Sequence, residues 1–383
     1  MAIVIVGGGL AAVRTVQALR DGGYEGALTV LAGEAEPPYD RPPLSKDFLL
    51  GKVADEDIRL LAPEAYETLG VELRLGARAA GLDPAAHEVI LEGGERVPYE
   101  KLVVATGADP IRIPALEGVP GVHYLRDAAH SRELREMLRA GTRVGVVGGG
   151  FIGLEIAAVA RSLGAEVTVI EGLAAPLAGV LGPELGGWVQ ELHESHGVVF
   201  RCGSPVAAAH EGVLELQDGT SLDVDVIVVG VGVRPTIGWL RDSGVLLHRG
   251  LVCDGHGRSS DPDVFAAGDV ICRHDADDRC EAVEHWTAAG DQAMRAADAV
   301  LGQADGDAPA EDHYFWSDQY DVRLQFSGHV ASGAALEVIH GEPSERKFVA
   351  RILDGDRLTG IFGMSSPREF IRSSLELRRA AAT

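Results

Sequence analysis

The sequence predicts an α/β protein in which one dinucleotide-binding domain is inserted into another. Three observations carry that expectation. Glycine turns at residues 7–12 and 148–153 each stand between an apolar run and a helical pattern. Each helical pattern is followed by a second β-branched run ending near a carboxylate, Glu34 in the first copy and Glu171 in the second. Apolar strands at 102–108 and 224–235, each with a glycine exit, then carry the chain from the first domain to the second and back.

The second copy is the more complete. Val144–Val147 enters a turn with Gly148, Gly150 and Gly153, and a helical pattern runs through Arg161. Val167–Ile170 then leads to Glu171, 23 positions past Gly148, against roughly 20 in the dinucleotide fingerprint. The glycines serve the tight turn, the backbone approach to a pyrophosphate and the close helix–strand contact. The helix N-terminus adds unpaired N–H groups and the positive end of its dipole. In the first copy Ala2–Val6 runs into Gly7, Gly9, Ala11 and Ala12, then a helix to about Arg20 and a strand at Leu28–Leu31. Gly33 stands where the acid is expected and Glu34 follows it, so the ribose contact falls to Glu34 with a register open by one residue. Two such units in full βαβ context imply two dinucleotides.

Bulk properties narrow the function class. At 383 residues the chain is long enough for two or three domains with proper cores. Its 46% hydrophobic and 24% charged content fit an ordinary globular protein. A net charge of −24 argues against nucleic acid as a partner, because phosphate binding relies on cationic surface. No apolar run approaches a membrane span and Met1 opens almost directly onto the first strand, so a cytoplasmic protein is expected. Cys202, Cys253, Cys272 and Cys280 show neither C-x-x-C nor zinc-type spacing; reduced, buried thiols and no metal site are expected.

Further motifs have a purpose if one dinucleotide is a flavin. In Asp40-Arg41-Pro42-Pro43-Leu44-Ser45-Lys46 two prolines stiffen a stretch flanked by cations. One of Arg41 and Lys46 can bind phosphate and the other can sit near flavin N5; a plain surface loop is the alternative. Glu155, one turn into the second helix, is a candidate partner for Lys46. No arginine or lysine follows Glu171 in GLAAPLAG, which favours a ribose hydroxyl over a 2′-phosphate and hence NADH. Gly232 lies in the glycine exit at 230–235. Asp269 ends the strand-like run 263–269, at the edge where α/β ligands bind, and can accept from ribityl hydroxyls; a simple Gly-Asp turn is the alternative. Asp127 is placed to cap a helix at 128–139, and His285 is given a capping or packing role. Phe315 is expected in the core, while its neighbour Trp316 is a candidate to face the cofactor. Arg368, Arg372, Arg378 and Arg379 make the C-terminal helix locally basic, a feature that could steer an acidic partner or simply face solvent.

In this order the motifs GGGLAA (7–12), RPPLSK (41–46), ATG (105–107), GGGFIGLE (148–155), VGVRP (231–235), FAAGDV (265–270), VEHW (283–286) and FWSDQY (315–320) closely resemble the FAD-dependent ferredoxin reductases that serve Rieske dioxygenases and haem monooxygenases, the putidaredoxin reductase type. The resemblance implies two nested Rossmann-like domains plus a C-terminal α+β domain. The boundaries expected are 1–108 with 231–304 for FAD, 109–230 for NADH, and 305–383 for the last domain. It also implies FAD contacts from Ala11, Lys46, Ala79, Arg126, Asp269 and Trp286. Lys46 paired with Glu155 near flavin N5, and Trp316 by the isoalloxazine, are the candidate catalytic residues. Hydride would pass from NADH to FAD, and electrons would leave one at a time to a [2Fe-2S] ferredoxin that supplies an oxygenase. Gly33, Trp286 and a short C-terminal domain are the departures from the family pattern.

Two rivals share the nucleotide domains. A disulfide reductase, peroxidase or NADH oxidase relative needs a redox cysteine near the flavin, yet Ser45 occupies the loop and no cysteine precedes Cys202. A flavin-binding scaffold or signalling protein would use NADH to change assembly and would turn over an acceptor only slowly.

Overall fold

Apolar runs with no polar break suit strands covered on both faces. AIVIV at 2–6 and RVGVV at 143–147 become the central strands of two parallel sheets. The structure is a computed structural model and describes residues 1–274, 280–281, 283–308 and 313–381. Two compact units emerge, one from Met1–Arg41, Asp55–Asp109 and Val233–Asp312, the other from Pro42–Ala54, Pro110–Gly232 and His313–Thr383.

The chain enters unit 1 with β1 (Ala2–Val6), α1 (Leu10–Asp21), β2 (Ala27–Leu31), β3 (Val71–Arg74) and β4 (Lys101–Val104). It builds unit 2 from β5 (Val122–Tyr124), α2 (Ala128–Met137), β6 (Arg143–Val147), α3 (Phe151–Ser162), β7 (Glu166–Glu171), α4 (Ala178–Ser195), β8 (Val199–Cys202) and β9 (Val226–Val229). β10 (Val264–Ala266) and α5 (Trp286–Val300) return to unit 1. β11 (Phe315–Gln319), β12 (Val322–Gly328), β13 (Ala335–Glu342), β14 (Lys347–Asp354), β15 (Arg357–Met364) and α6 (Pro367–Ala381) finish unit 2.

The sheet of unit 1 has the order β10-β4-β1-β2-β3, with every pair parallel. Its strands pack against α1 and α5, whose facing surface is built from Ala12, Val16, Leu19, Ala293, Ala296 and Ala297. Small side chains on α5 let the two helices approach closely. The first sheet of unit 2 has the order β8-β7-β6-β9-β5, again all parallel. Each of these sheets therefore places its fingerprint strand centrally and its glycine turn at the C-terminal edge, where ligands bind in open α/β sheets. Three-stranded antiparallel sheets at 79–98 and 206–223 decorate units 1 and 2 respectively.

The C-terminal strands form an antiparallel sheet of order β11-β12-β15-β14-β13. Its apolar face shares one core with α3 and α4, through Leu154, Leu181, Leu185, Leu324, Phe348 and Phe362. The α/β plan with a C-terminal antiparallel sheet is thus the fold expected from the sequence. Residues 313–383 pack within unit 2 rather than as a free-standing body, and so do residues 42–54, because Leu49 joins a core with Leu134, Val144 and Ile156. The sequence also reads as an Ala/Asp/Gly-rich linker at 302–312, of which 309–312 lie outside the described residues. α4 kinks at Gly182 (φ +78°), followed by Pro183, which has no N–H to donate.

Candidate functional site

Unit 1 gathers its candidate residues around the first turn. Gly7 (φ +146°) accepts no side chain, since a Cβ there would lie 2.1 Å from the Ala105 carbonyl oxygen. Gly9 is the N-cap of α1 and makes no side-chain cap, and a Cβ on it would meet nothing within 4 Å. The first N–H groups of α1 therefore face open space, a fit for a pyrophosphate. Ala12 is fully buried, and Ala11 lies against Gly268, whose own Cβ would come within 3.0 Å of it. That contact brings the half-exposed Asp269 beside the first fingerprint. Gly268 takes φ +84°, and its N–H donates to buried Gln292 at 2.8 Å.

Glu34 follows the end of β2. Its carboxylate accepts from Arg41 at 2.7 Å and from the Tyr39 hydroxyl, and the Arg41 guanidinium lies 5.4 Å from the Tyr39 ring centre. Two candidates for cofactor contact thus form an ion pair with each other. The Trp286 indole N–H donates to Asp40 at 2.7 Å, tying the start of α5 to the same stretch. His285 stands at the N-cap of α5 but makes no side-chain cap there. Ala79 opens the small sheet of unit 1.

Unit 2 repeats the turn. Gly148 (φ +104°) would place a Cβ 2.3 Å from the Gly230 carbonyl, and Gly153 would place one 2.2 Å from the Gly148 carbonyl. Gly150 is the uncapped N-cap of α3, and the nearest atom to its Cβ position is 3.8 Å away. Here too the open N–H groups fit a pyrophosphate. Glu171 ends β7 and accepts from Gly149 N–H at 2.7 Å and Leu173 N–H at 2.8 Å. Its half-exposed carboxylate is held at the strand edge where the NADH ribose carrying the 2′-hydroxyl is expected. Gly232 takes φ +110° and its carbonyl accepts from Ile111. Arg126 is half-buried before α2, and Asp127 caps that helix as expected, accepting from His130 N–H at 2.8 Å.

Lys46 and Glu155 do meet. The ammonium lies 2.8 Å from Glu155 Oε2 and also donates to the Pro42 carbonyl at 3.1 Å. Pro42 and Pro43 open a 3-10 turn over Pro42–Ser45, a position where a missing N–H costs nothing. The segment is no surface loop: Leu44, Ser45, Phe48 and Leu49 are buried, and Ser131 Oγ–H donates to the Leu44 carbonyl at 2.8 Å. Glu155 is 4% exposed, and its remaining acceptor capacity is met by Ser45 Oγ–H at 2.5 Å and Ser317 Oγ–H at 2.6 Å. A buried carboxylate needs this much compensation. On β11 the side chains alternate. Phe315, Ser317 and Gln319 face the core, while Trp316 is half-buried on the other face with Tyr314, ring centres 6.2 Å apart.

Sequence reasoning left out Ser317, which bonds Glu155, and behind it Gln319 and then His193. The signal was present: in FWSDQ polar residues recur with period two on the same face as Phe315, so they had to be buried and bonded.

The thiols differ from expectation at one point. Cys272 is disulfide-bonded, not reduced, at a buried position in the strand 271–274; the side chain of Cys280 lies outside the described residues. Cys202 and Cys253 are free. Burial pushes the Cys253 thiol up to about 12, and burial with nearby Glu171 and Glu194 raises that of Cys202. Neither is poised as a thiolate relay. Among the described residues no helix is long and apolar enough to cross a membrane.

Comparisons with known proteins bear on the family and the fold. Residues 1–293 match the pyridine nucleotide-disulphide oxidoreductase family, and residues 314–381 match the reductase C-terminal family. The chain is 39% identical over 362 residues to the ferredoxin–NAD(+) reductase component of the anthranilate 1,2-dioxygenase system of Burkholderia cepacia, covering 92% of this chain and 88% of that one. It is 32% identical to putidaredoxin reductase of Pseudomonas putida, covering 97% and 90%. The reductase in the solved covalent putidaredoxin reductase–putidaredoxin complex superposes with a TM-score of 0.92 at 31% identity, covering 98% and 92%.

Proposed function

The chain belongs to the FAD-dependent ferredoxin–NAD(+) reductases of the pyridine nucleotide-disulphide oxidoreductase family, and we propose that it carries electrons from NADH through FAD to a [2Fe-2S] ferredoxin serving a Rieske dioxygenase or haem monooxygenase. FAD and NAD(H) binding follow from the family. The finer assignment is supported by the pairing of Lys46 with the buried Glu155, and by Ser45, at 2.5 Å from Glu155, in the position where a disulfide reductase needs its thiol.

FAD, when bound, supplies the exchange between a two-electron hydride donor and a one-electron acceptor. Gly7, Gly9, Ala11 and Ala12 would hold its pyrophosphate, Glu34 with Arg41 its adenosine end, and Asp269 and Trp286 its ribityl and ring side. Gly148, Gly150 and Gly153 would hold the NADH pyrophosphate. Glu171 would accept from the ribose hydroxyl and repel a 2′-phosphate, which makes NADH the preferred donor. We assign Lys46 the placement of positive charge at the flavin, with Glu155 fixing its position and Trp316 shielding the ring. Electrons have no thiolate route to follow from this set, so they leave to an external carrier.

The test is anaerobic rapid mixing of the purified flavoprotein with NADH, combined with turnover against a panel of ferredoxins. Lys46→Met is expected to slow flavin reduction and shift the flavin potential, and a variant with wild-type rate and potential overturns the assignment. Thiol titration of the NADH-reduced protein is expected to show no new thiols. Opening of the Cys272 disulfide by NADH would instead place the protein with the disulfide reductases.

A further inference from the structure

Glu155 ends a chain of hydrogen bonds whose direction can be deduced group by group. Gln319 presents Oε1 to His193 Nε2 at 2.8 Å. An amide oxygen only accepts, so His193 Nε2 carries the hydrogen. The Gln319 amide nitrogen then donates to Ser317 Oγ at 3.1 Å, and Ser317 Oγ–H donates to Glu155 Oε1 at 2.6 Å. At the other end His193 Nδ1 is left as an acceptor, 3.1 Å from the Tyr320 hydroxyl. Every donor therefore points toward Glu155. His193, Gln319 and Ser317 are all buried, so bulk solvent does not reach them to replace a lost partner.

We propose that His193 is a positioning residue for the Lys46–Glu155 pair, acting as the neutral Nε2–H tautomer through Gln319 and Ser317. The inference rests on the assignment of that pair to the flavin. The chain works by selection. A neutral Nε2–H admits only one orientation of the Gln319 amide, that orientation obliges the Ser317 hydroxyl to donate away from it, and the acceptor it meets is Glu155 Oε1. Glu155 Oε2 is thereby left to Ser45 and Lys46. If the amide turned over, Ser317 would donate to Gln319 and Glu155 would lose a donor in a dry site, which costs far more than the same loss at a surface.

Two features keep the upstream end fixed. Tyr320 takes φ +57°, a conformation that bulky residues rarely adopt, and its ring is stacked on His196 with centres 3.7 Å apart. Burial lowers the His193 pKa to about 4, with the Gln319 bond opposing and His196 adding to the lowering, so the ring is neutral through the physiological range. The titratable groups facing it are His196 on its own helix and Tyr320 after β11, with Arg161 at the end of α3 acting on Tyr320.

The test uses the flavin-loaded full chain labelled with 15N-histidine. The His193 ring is expected to show a protonated Nε2 and an acceptor Nδ1, unchanged between pH 7.5 and 5.5. An Nδ1–H tautomer, or protonation near pH 6.5, overturns the proposal whatever the enzyme does. The functional arm compares His193→Leu, Gln319→Leu and His193→Gln. The first two are expected to slow flavin reduction by NADH about tenfold, the scale of one hydrogen bond to a charged group, and to move the flavin potential in the same direction as Lys46→Met. His193→Gln, which restores an N–H donor, is expected to recover both. Wild-type rate and potential in Gln319→Leu while Lys46→Met is impaired refutes the chain alone. Wild-type behaviour in Lys46→Met refutes the underlying reading, while the ring tautomer still reports separately on the chain.

Discussion

Acid should unfold this protein partly through one imidazole, and the size of the effect can be worked out. His193 is wholly buried and its pKa falls to about 4 from an ordinary 6.5 because burial penalises the charged ring. Above pH 6.5 the ring is neutral in both folded and unfolded chains, so its contribution to stability is constant. As the pH falls below 6.5 the unfolded chain takes up a proton that the folded chain refuses until about pH 4. Stability is therefore lost across that window and the loss is complete below it. With about 1.4 kcal/mol per pH unit, the window corresponds to roughly 3 kcal/mol. Carboxylates titrate in the same range, so the quantity to read is a difference between two proteins. Urea unfolding of wild type and His193→Gln, followed by tryptophan fluorescence at pH 7.5, 6, 5 and 4.5, isolates it. The variant is expected to be the less stable at pH 7.5 and to close the gap by up to roughly 3 kcal/mol as the pH falls toward 4. Two curves that stay parallel over the whole range would refute the argument, since they would mean that the ring titrates alike folded and unfolded.

Other outcomes follow from the turns, the acid and the thiols. Gly9→Ala, whose Cβ meets open space, is expected to fold with an unchanged melting temperature but to lose FAD on dilution; Gly7→Ala and Gly153→Ala, whose Cβ atoms would fall within 2.2 Å of carbonyl oxygens, should each cost about 1–3 kcal/mol or more of folding stability whether or not nucleotide is present. Melting curves with and without added FAD separate the two cases. Glu171→Arg should lower kcat/KM for NADH about tenfold or more, because it removes the acceptor and frees Gly149 and Leu173 N–H together, and should narrow the preference over NADPH; steady-state kinetics with both donors checks it. Cys253, with its thiol raised to about 12, should resist a thiol reagent at pH 8 until the protein is unfolded, and rapid labelling in the native state would contradict its burial.

How much of this was legible in the sequence depends on the range of the forces involved. The fingerprints could be read because their requirements are local: Gly7, Gly148 and Gly153 are demanded by carbonyls that the same turn or the neighbouring strand brings near, and the apolar runs beside them admit only buried parallel strands. The pairing of Lys46 with Glu155 spans more than a hundred residues and was reachable only because each sat in a recognisable motif. The kink of α4 and the strand β13 were not foreseen. The first mixes a helical pattern with Gly182-Pro183. The second is an edge strand with no fully buried residue, so its hydrophobic pattern is weak. The Cys272 disulfide escaped because spacing alone does not report which thiols the fold brings within bonding distance.

The placement of residues 42–54 with unit 2 has a consequence for the chemistry. The N-terminus of α3, which fits the NADH pyrophosphate, and Glu155, which holds Lys46, are one turn apart on a single rigid helix. A pyrophosphate that shifts α3 must therefore shift the carboxylate with it. Lys46 follows, because its ammonium is bonded to Glu155 and to the Pro42 carbonyl and Ser131 pins that turn to α2. Ser317 opposes the movement from the C-terminal sheet, gripping the other carboxylate oxygen. Glu155, carried on α3, is thus gripped also from the sheet of residues 315–364, and the position of the Lys46 charge is set by both. A thiol at residue 45 would bond the carboxylate only weakly, whereas the serine hydroxyl donates to Glu155 at 2.5 Å and helps hold the charge in place.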